Sequence, residues 1–554
     1  MTQSMIQPHR VEPRESVSKN RVYLLLLIGI TAAYCVWVLS LPLFPTSDGP
    51  MHLYYVHVLR ELLGKAPSAY GHYYFIKHLL PPYSLYYYSQ MVLSMGVPDL
   101  MAEKIIVCTY FILFVFGFRY LATAIGPGGE LMSLLAPLLL LNWPLGMGFV
   151  NFCIAVSLAM WAIGLWWRVS GTANFSKKLL FLFLVYLTMM THPVPLLFIL
   201  GFGFAELCVR LLRHLRLRDK VKSYPDFLVQ DAVFLFLATG TLLYVKLFTV
   251  STILRQAETP KVTIHTFANN AWAYVFQYSL DVFRGDEISV TLYRIALCLI
   301  LIVPLGLALK ARMHSIRSRE WTTGDMWLGL SILMILGLPF VPLELNHSYY
   351  FAYRLVLVVW LAGIAAGSLR RDDSRTFAAV VIVFSVACNV LILTLAHARI
   401  NPVANNIAVA AAATGNEGRA GVLLNEYQKP KTLNYDPYVW AGANYFRSNG
   451  AIVYNSPWLN LPIIPLGADA SMPYGRVDDM ALEQPVFLRD EMSDSPASRN
   501  LVLSDVSFVF VDRNAGSDTK VVDAILAADS QNQWSCDRHE WFDICNKVKL
   551  AGQP

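Results

Sequence analysis

With 554 residues, 56% of them hydrophobic and only 15% charged, the chain cannot be one or two ordinary soluble units, in which about 25% of residues carry charge. Its net charge of +6 is unevenly placed: residues 401–554 hold 12 Lys+Arg against 18 Asp+Glu, a balance of −6, which leaves the remainder at +12. The cations of that remainder sit in short loops between apolar runs, the pattern of a membrane protein with basic cytoplasmic loops, and nucleic acid is not an expected partner.

Residues 1–20 are expected to be a disordered cytoplasmic N-terminus. Arg21–Leu43, preceded by Arg10, Arg14 and Lys19, is long enough to span a bilayer and serves as a signal-anchor helix with its N-terminus inside. A long first external loop, 44–99, follows. Three basic clusters mark cytoplasmic loops: Arg210, Arg213, Arg216, Arg218, Lys220 and Lys222; Lys310, Arg312, Arg317 and Arg319; Arg370, Arg371 and Arg375. Working outward from them, loops 251–290 and 344–349 are extracytoplasmic. Residues 178–213 would make a helix of about 54 Å, too long for a hydrocarbon core of about 30 Å. The run Thr191-His192-Pro193-Val194-Pro195 breaks this stretch into a hairpin, and parity then keeps Pro81–Gly96 from crossing fully. The alternative makes Pro81–Gly96 a span and 178–213 one tilted helix.

The expected fold is therefore a polytopic α-helical membrane protein of about 11 transmembrane helices over residues 21–399. The last helix, 376–397, delivers an extracytoplasmic α/β domain over 400–554. In that domain strands are predicted at Gly421–Leu424, Ala451–Tyr454 and Val506–Val511, with a helix at Thr519–Ala528. Six cysteines fall in apolar spans as packing residues, whereas Cys536 and Cys545 are expected to form a disulfide in an exported domain.

Ionisable groups near a membrane are functional candidates by default. Asp48 stands just beyond the first span, and His52 follows four residues later on the same helical face. A carboxylate there can take a proton from a hydroxyl or hold a divalent cation. The plainer reading makes Asp48 a helix cap and His52 a surface residue. Arg354, beside Tyr353 and after Glu344 and His347, is placed to contact a phosphate, or else to snorkel or pair with Glu344. His192 at the hairpin tip is either a site residue or simply the turn. Asn142 and Asn151 either bind a substrate hydroxyl or satisfy helix ends, and Arg284 is a weaker phosphate candidate. The dense aromatics from Tyr70 to Tyr88 read as an interfacial belt rather than a sugar-stacking surface. Nucleotide-binding, zinc-hydrolase and serine-hydrolase motifs are absent from the sequence.

Three segments resemble the GT-C glycosyltransferases, such as the protein mannosyltransferase and aminoarabinose transferase families. They are Pro45-Thr46-Ser47-Asp48-Gly49 at the head of the external loop, Lys77-His78-Leu79-Leu80-Pro81-Pro82-Tyr83 within it, and Tyr349-Tyr350-Phe351-Ala352-Tyr353-Arg354. The likeness covers about residues 20–200 and extends over the rest as architecture. It implies a multi-pass protein of a bacterial-type inner or plasma membrane. Such a protein transfers a sugar from a polyprenyl-phosphate donor to a lipid, glycan or protein acceptor on the extracytoplasmic side. Asp48 would be the base or cation ligand, with Lys77 and His78 near the carrier phosphate. The full expected site is Asp48 and His52 for catalysis, with Lys77, His78, His192, Glu344, His347 and Arg354 for substrate. Many members carry Asp-Glu where this chain has Asp48-Gly49. That difference counts against a metal-dependent mechanism and leaves a divalent cation as the one cofactor to consider; the leading reading is an inverting, metal-independent or weakly metal-assisted transfer. The competing readings are a non-catalytic transporter or flippase of lipid-linked glycans, an inactive GT-C relative, and a glycan polymerase or ligase using the same donor class. A flippase needs polar groups across the midplane, and the spans offer few beyond Glu206 and Lys246 near helix ends. A polymerase or ligase usually works from a late loop, and here 344–349 is short.

Overall fold

The computed structural model describes residues 15–64, 69–72, 74–76, 82–216, 224–253, 262–263, 280–318, 323–341, 344–345, 351–370, 374–425, 433–438, 440–453, 466–468, 507–512, 533–539 and 541–548. The helices are α1 (Glu15–Ser40), α2 (Gly49–Leu63), α3 (Ser84–Ser94), α4 (Asp99–Ile125), α5 (Gly129–Met132), α6 (Trp143–Gly146), α7 (Val150–Val169), α8 (Phe175–Thr191), α9 (Leu196–Arg216), α10 (Tyr224–Ile253), α11 (Ile288–Ser318), α12 (Thr323–Gly337), α13 (Phe351–Ala366), α14 (Arg375–Ala412) and α15 (Ala443–Ser448). Among the described residues, six helices are long and apolar enough to cross a membrane, and two shorter apolar ones accompany them. The molecule is a helical multi-pass membrane protein.

The 178–213 stretch is a hairpin. His192 closes α8 by donating its backbone N–H to Thr188 (2.8 Å), and Pro193 and Pro195, which have no N–H to give, keep the chain from continuing straight into α9. At 11 residues, α3 rises about 16 Å and is too short to cross. Between α5 and α6 the chain runs through a 3-10 helix, Ser133–Leu139, that contains Pro137. All seven of its residues are buried, and irregular backbone at membrane depth is tolerated only inside protein.

The 38 residues of α14 reach about 57 Å, far beyond the helix expected at 376–397. Pro402 removes one backbone hydrogen bond but does not end it. Ile400, Val403, Ala404, Ile407 and Ala410 keep one face packed through the proline turn.

The strands are β1 (Tyr74–Ile76), β2 (Val262–Thr263), β3 (Glu344–Leu345), β4 (Ala420–Asn425), β5 (Ile452–Val453), β6 (Leu466–Ala468), β7 (Phe508–Asp512), β8 (Gln533–Arg538) and β9 (Phe542–Val548). Five of them form a mixed sheet in the order β5-β4-β7-β9-β8, with β4 parallel to β5 and β7, and β9 antiparallel to β7 and β8. The three predicted strands are β4, β5 and β7. The disulfide Cys536–Cys545 joins directly opposed residues of β8 and β9. The predicted helix at Thr519–Ala528 lies outside the described residues.

The C-terminal region is clasped to the first loop. β1 pairs antiparallel with β6. Arg447 and Arg60 both donate to Asp99 at the start of α4 (3.1 and 3.0 Å), and the Tyr54 and Tyr74 hydroxyls bond the backbone of Val453. These contacts overturn the aromatic-belt expectation. Tyr70, Tyr74, Tyr86 and Tyr87 are buried, because the C-terminal region and α4 cover the face that a belt would turn to lipid. Tyr73 and the side chain of Phe75 lie outside the described residues.

Candidate active site

The turn before α2 carries Asp48. It is built from Pro45-Thr46-Ser47: the Thr46 hydroxyl accepts from the Gly49 N–H (3.1 Å) and so takes over the capping role. Asp48 occupies the cap position, yet its side chain makes no capping bond. The plainer reading of this residue therefore fails, since the carboxylate does not cap the helix. Main-chain bonds fix the turn against the loop before α7, Ser47 N–H to Gly146 (3.0 Å) and Asp48 N–H to Met147 (3.1 Å). Gly148, at φ +87°, lies so close that a Cβ there would sit 2.9 Å from Asp48 N. Only glycine combines that backbone angle with that approach.

Burial pushes the Asp48 carboxyl up to about 7, against the pull of the Arg354 guanidinium. A carboxylate at that value is poised to exchange a proton near neutrality.

Arg354 and His192 come from helices 162 residues apart in sequence and meet at 3.2 Å (Nη1 to Nε2). The guanidinium lies 3.9 Å from the centre of the Phe149 ring. The His192 ring packs edge-on against Tyr83 at 4.5 Å and Phe152 at 5.3 Å. Tyr83 itself is held at φ +78°, an uncommon angle for a bulky residue. Burial, reinforced by Arg354, holds the imidazole well below its ordinary pKa, so the ring is neutral. A neutral imidazole has one lone pair. His192 Nδ1 already accepts from the Val194 N–H (3.2 Å), which leaves Nε2 carrying the proton and facing an arginine that can only donate. Arg354 Nε has no hydrogen-bond partner among the described residues. The cluster thus has more donors than acceptors, and an anion would balance it.

His52 does not join this cluster. Its Nδ1 meets the Tyr87 hydroxyl at 2.7 Å, and burial lowers its pKa to about 4. Of the other expected residues, Lys77, His78 and His347 lie outside the described residues, and only the backbone of Glu344 is described, in β3. Arg284 is exposed, and its carbonyl accepts from Arg399. Asn142 caps α6 by accepting from Leu145 N–H (3.0 Å), and Asn151 accepts from Phe152 N–H (2.8 Å), so both serve helix ends.

Sequence reasoning missed a second carboxylate. Glu103 of α4 is 3% exposed, and its Oε1 stands 2.9 Å from where a Gly49 Cβ would lie. Fifty-four residues separate Glu103 from Gly49, and no spacing rule connects them. Among the described residues no group of three or more His, Cys, Asp or Glu is gathered as for a metal ion. Val358, Leu361, Pro195 and Met160 help line an apolar void of about 30 Å³.

No protein-family model matches the sequence, and no curated protein matches it. Among solved structures, the chain is similar to ArnT from Cupriavidus metallidurans in the apo state, at 12% identity over 95% of this chain and 98% of that one, with a TM-score of 0.48. It is similar to the same protein bound to undecaprenyl phosphate at 11% identity, over 96% and 99% of the two chains, with a TM-score of 0.45. It is also similar to the apo oligosaccharyltransferase of Archaeoglobus fulgidus at 9% identity, over 88% of this chain and 69% of that one, with a TM-score of 0.43.

Proposed function

We propose that this chain is a membrane glycosyltransferase that moves a sugar from a polyprenyl-phosphate donor to a hydroxyl acceptor on the extracytoplasmic side. The observation that carries the reading is the pairing of a non-capping carboxylate with an unbalanced donor cluster. Asp48 makes no capping bond and is pushed up to about 7, and among the described residues Arg354 and the His192 Nε2–H face each other with no acceptor between them. Transfer from a lipid phosphate needs both parts, a base for the incoming hydroxyl and cations or N–H donors for the departing phosphate.

In the proposed step Asp48 takes the acceptor's proton as its oxygen attacks the sugar's anomeric carbon. The bond from that carbon to the phosphate oxygen breaks, and the electron pair leaves with the polyprenyl phosphate. Arg354 and the His192 Nε2–H stabilise the leaving anion, with Lys77 and His78 beside it as the GT-C resemblance implies. The configuration at the anomeric carbon inverts. The polyprenyl tail lies along the apolar side of the bundle, and the C-terminal region helps hold the acceptor. A divalent cation would be held by Asp48, with Glu103 beside Gly49 as a further carboxylate, and would supply charge neutralisation for the departing phosphate.

The test is transfer by purified protein in lipid vesicles supplied with polyprenyl-phosphate sugars, read as release of free polyprenyl phosphate. Asp48→Asn should lower turnover by about 10²- to 10⁴-fold with no loss of folded protein. Full turnover in that variant removes Asp48 as the base. Movement of labelled donor between leaflets without any release of polyprenyl phosphate supports the flippase reading instead.

A further inference from the structure

The segment 433–436 leaves the C-terminal region and touches three loops around the Asp48 turn. The Leu433 backbone bridges to Phe283, and Asn434 donates its backbone N–H to Val282 (3.0 Å) and its side chain to Asp281 O (3.0 Å). The Asn434 carbonyl accepts from the Trp143 indole (3.2 Å), immediately before the strand of contacts that Gly146 and Met147 make with Ser47 and Asp48. Tyr435 goes deepest. Its hydroxyl donates to Pro45 O (3.2 Å), three residues ahead of Asp48, and the bond is buried. Its ring packs against Gly146, where an added Cβ would meet ring carbons at 2.5 and 2.6 Å. A side chain 387 residues away in sequence thus braces both ends of the turn: the carbonyl that begins it and the glycine whose own carbonyl holds Ser47.

We infer that Tyr435 is a positioning residue for Asp48, through which the C-terminal region sets the pose of the carboxylate. The physical reason is that the Asp48 side chain makes no capping bond to hold it among the described residues. Its direction is inherited from the main chain, which bonds to Gly146, Met147, Thr46, His52 and Tyr435 hold in place. A displacement of about 1 Å at a reacting group can cost a hundredfold in rate. The charged and titratable groups facing Asp48 are Arg354 from α13 and Tyr87 from α3, with Glu103 of α4 behind Gly49; none of them is touched by Tyr435.

The inference rests on the reading of Asp48 as the base, so its test has one arm independent of turnover. Tyr435→Phe keeps the ring and removes only the hydroxyl. The carboxyl band of Asp48, identified by infrared difference against Asp48→Asn, is titrated in otherwise native protein and in Tyr435→Phe. Loosening the turn admits water, and the Asp48 titration should move toward the ordinary carboxylate range. Turnover in vesicles should fall about tenfold with the donor and acceptor KM unchanged within twofold. Gly146→Ala, which pushes the ring from the other side, should show the same two changes. An unmoved Asp48 titration in Tyr435→Phe overturns the inference whatever happens to activity. A fall in turnover that merely follows loss of folded protein overturns it as well. Should Asp48→Asn stay active while Tyr435→Phe still moves the carboxyl band, the catalytic reading fails and the brace stands.

Discussion

The two ends of the α7–α10 helices handle buried charge in opposite ways. At the end away from Asp48, Lys178 and Asp231 are fully buried and 2.6 Å apart. Arg210 meets Asp231 at 2.5 Å and Glu206 at 2.8 Å, and Gly171 N–H adds a bond to Asp231 (2.7 Å). Two cations face two anions from three helices, and the sum is neutral. At the other end, His192 and Arg354 turn donors toward each other, and Asp48 forms no ion pair with either. Both clusters are sheltered from water. Only the first sets each of its charges against an opposite one within 3 Å among the described residues, and this separates a charge network that holds helices together from one that the proposed function leaves open to a ligand.

That contrast can be broken in three ways, from the largest expected effect to the smallest. Asp231→Ala strands Lys178 and part of Arg210 without a counter-charge. It should cost about 3–5 kcal/mol of stability, read as an earlier thermal or denaturant midpoint, with turnover per folded molecule little changed. A stable Asp231→Ala protein would show that the network is not a clamp. Arg354→Ala should behave in the reverse sense. On the proposed function, losing a guanidinium that would meet the donor phosphate should cost about 2–5 kcal/mol of binding, seen as a raised donor KM, while the melting temperature should hold or rise. A collapse in stability with unchanged KM would return Arg354 to a structural role.

The smallest effect is a linkage. Asp48 titrates near 7 in the folded protein and near 4 when unfolded, so the folded state holds the extra proton between those values. The stability it contributes is present at low pH and is lost as pH rises through 7. Asp48→Asn should therefore stabilise the protein progressively from about pH 4 to 7 and level off above. Turnover in the unmutated protein should climb over the upper part of the same range as the carboxyl ionises. A melting-temperature difference that does not depend on pH would mean that the carboxyl is not desolvated.

The broad plan was readable from the chain because hydropathy acts locally. A run of apolar residues must leave water wherever its neighbours go, and prolines break a helix without help from elsewhere. Hence the helical membrane fold, the break at His192, the short α3 and the β4, β5 and β7 strands were accessible from order alone. Asp48, His192 and Arg354 could be nominated one at a time, because an ionisable group beside a membrane stands out.

Their relation could not be. Whether Asp48 caps its own helix depended on Thr46 reaching Gly49 first, and whether Arg354 meets His192 depended on which helices became neighbours. The same holds for Glu103 beside Gly49, for Tyr435 under the Asp48 turn, and for the tyrosines that the C-terminal region covers instead of leaving to lipid. Sequence determined which segments leave water and which side chains carry charge, since those are properties of single residues and short windows. Tertiary packing alone decided which charges are satisfied, because a hydrogen bond needs its partner within about 3 Å and nothing in linear order brings residue 435 to residue 45.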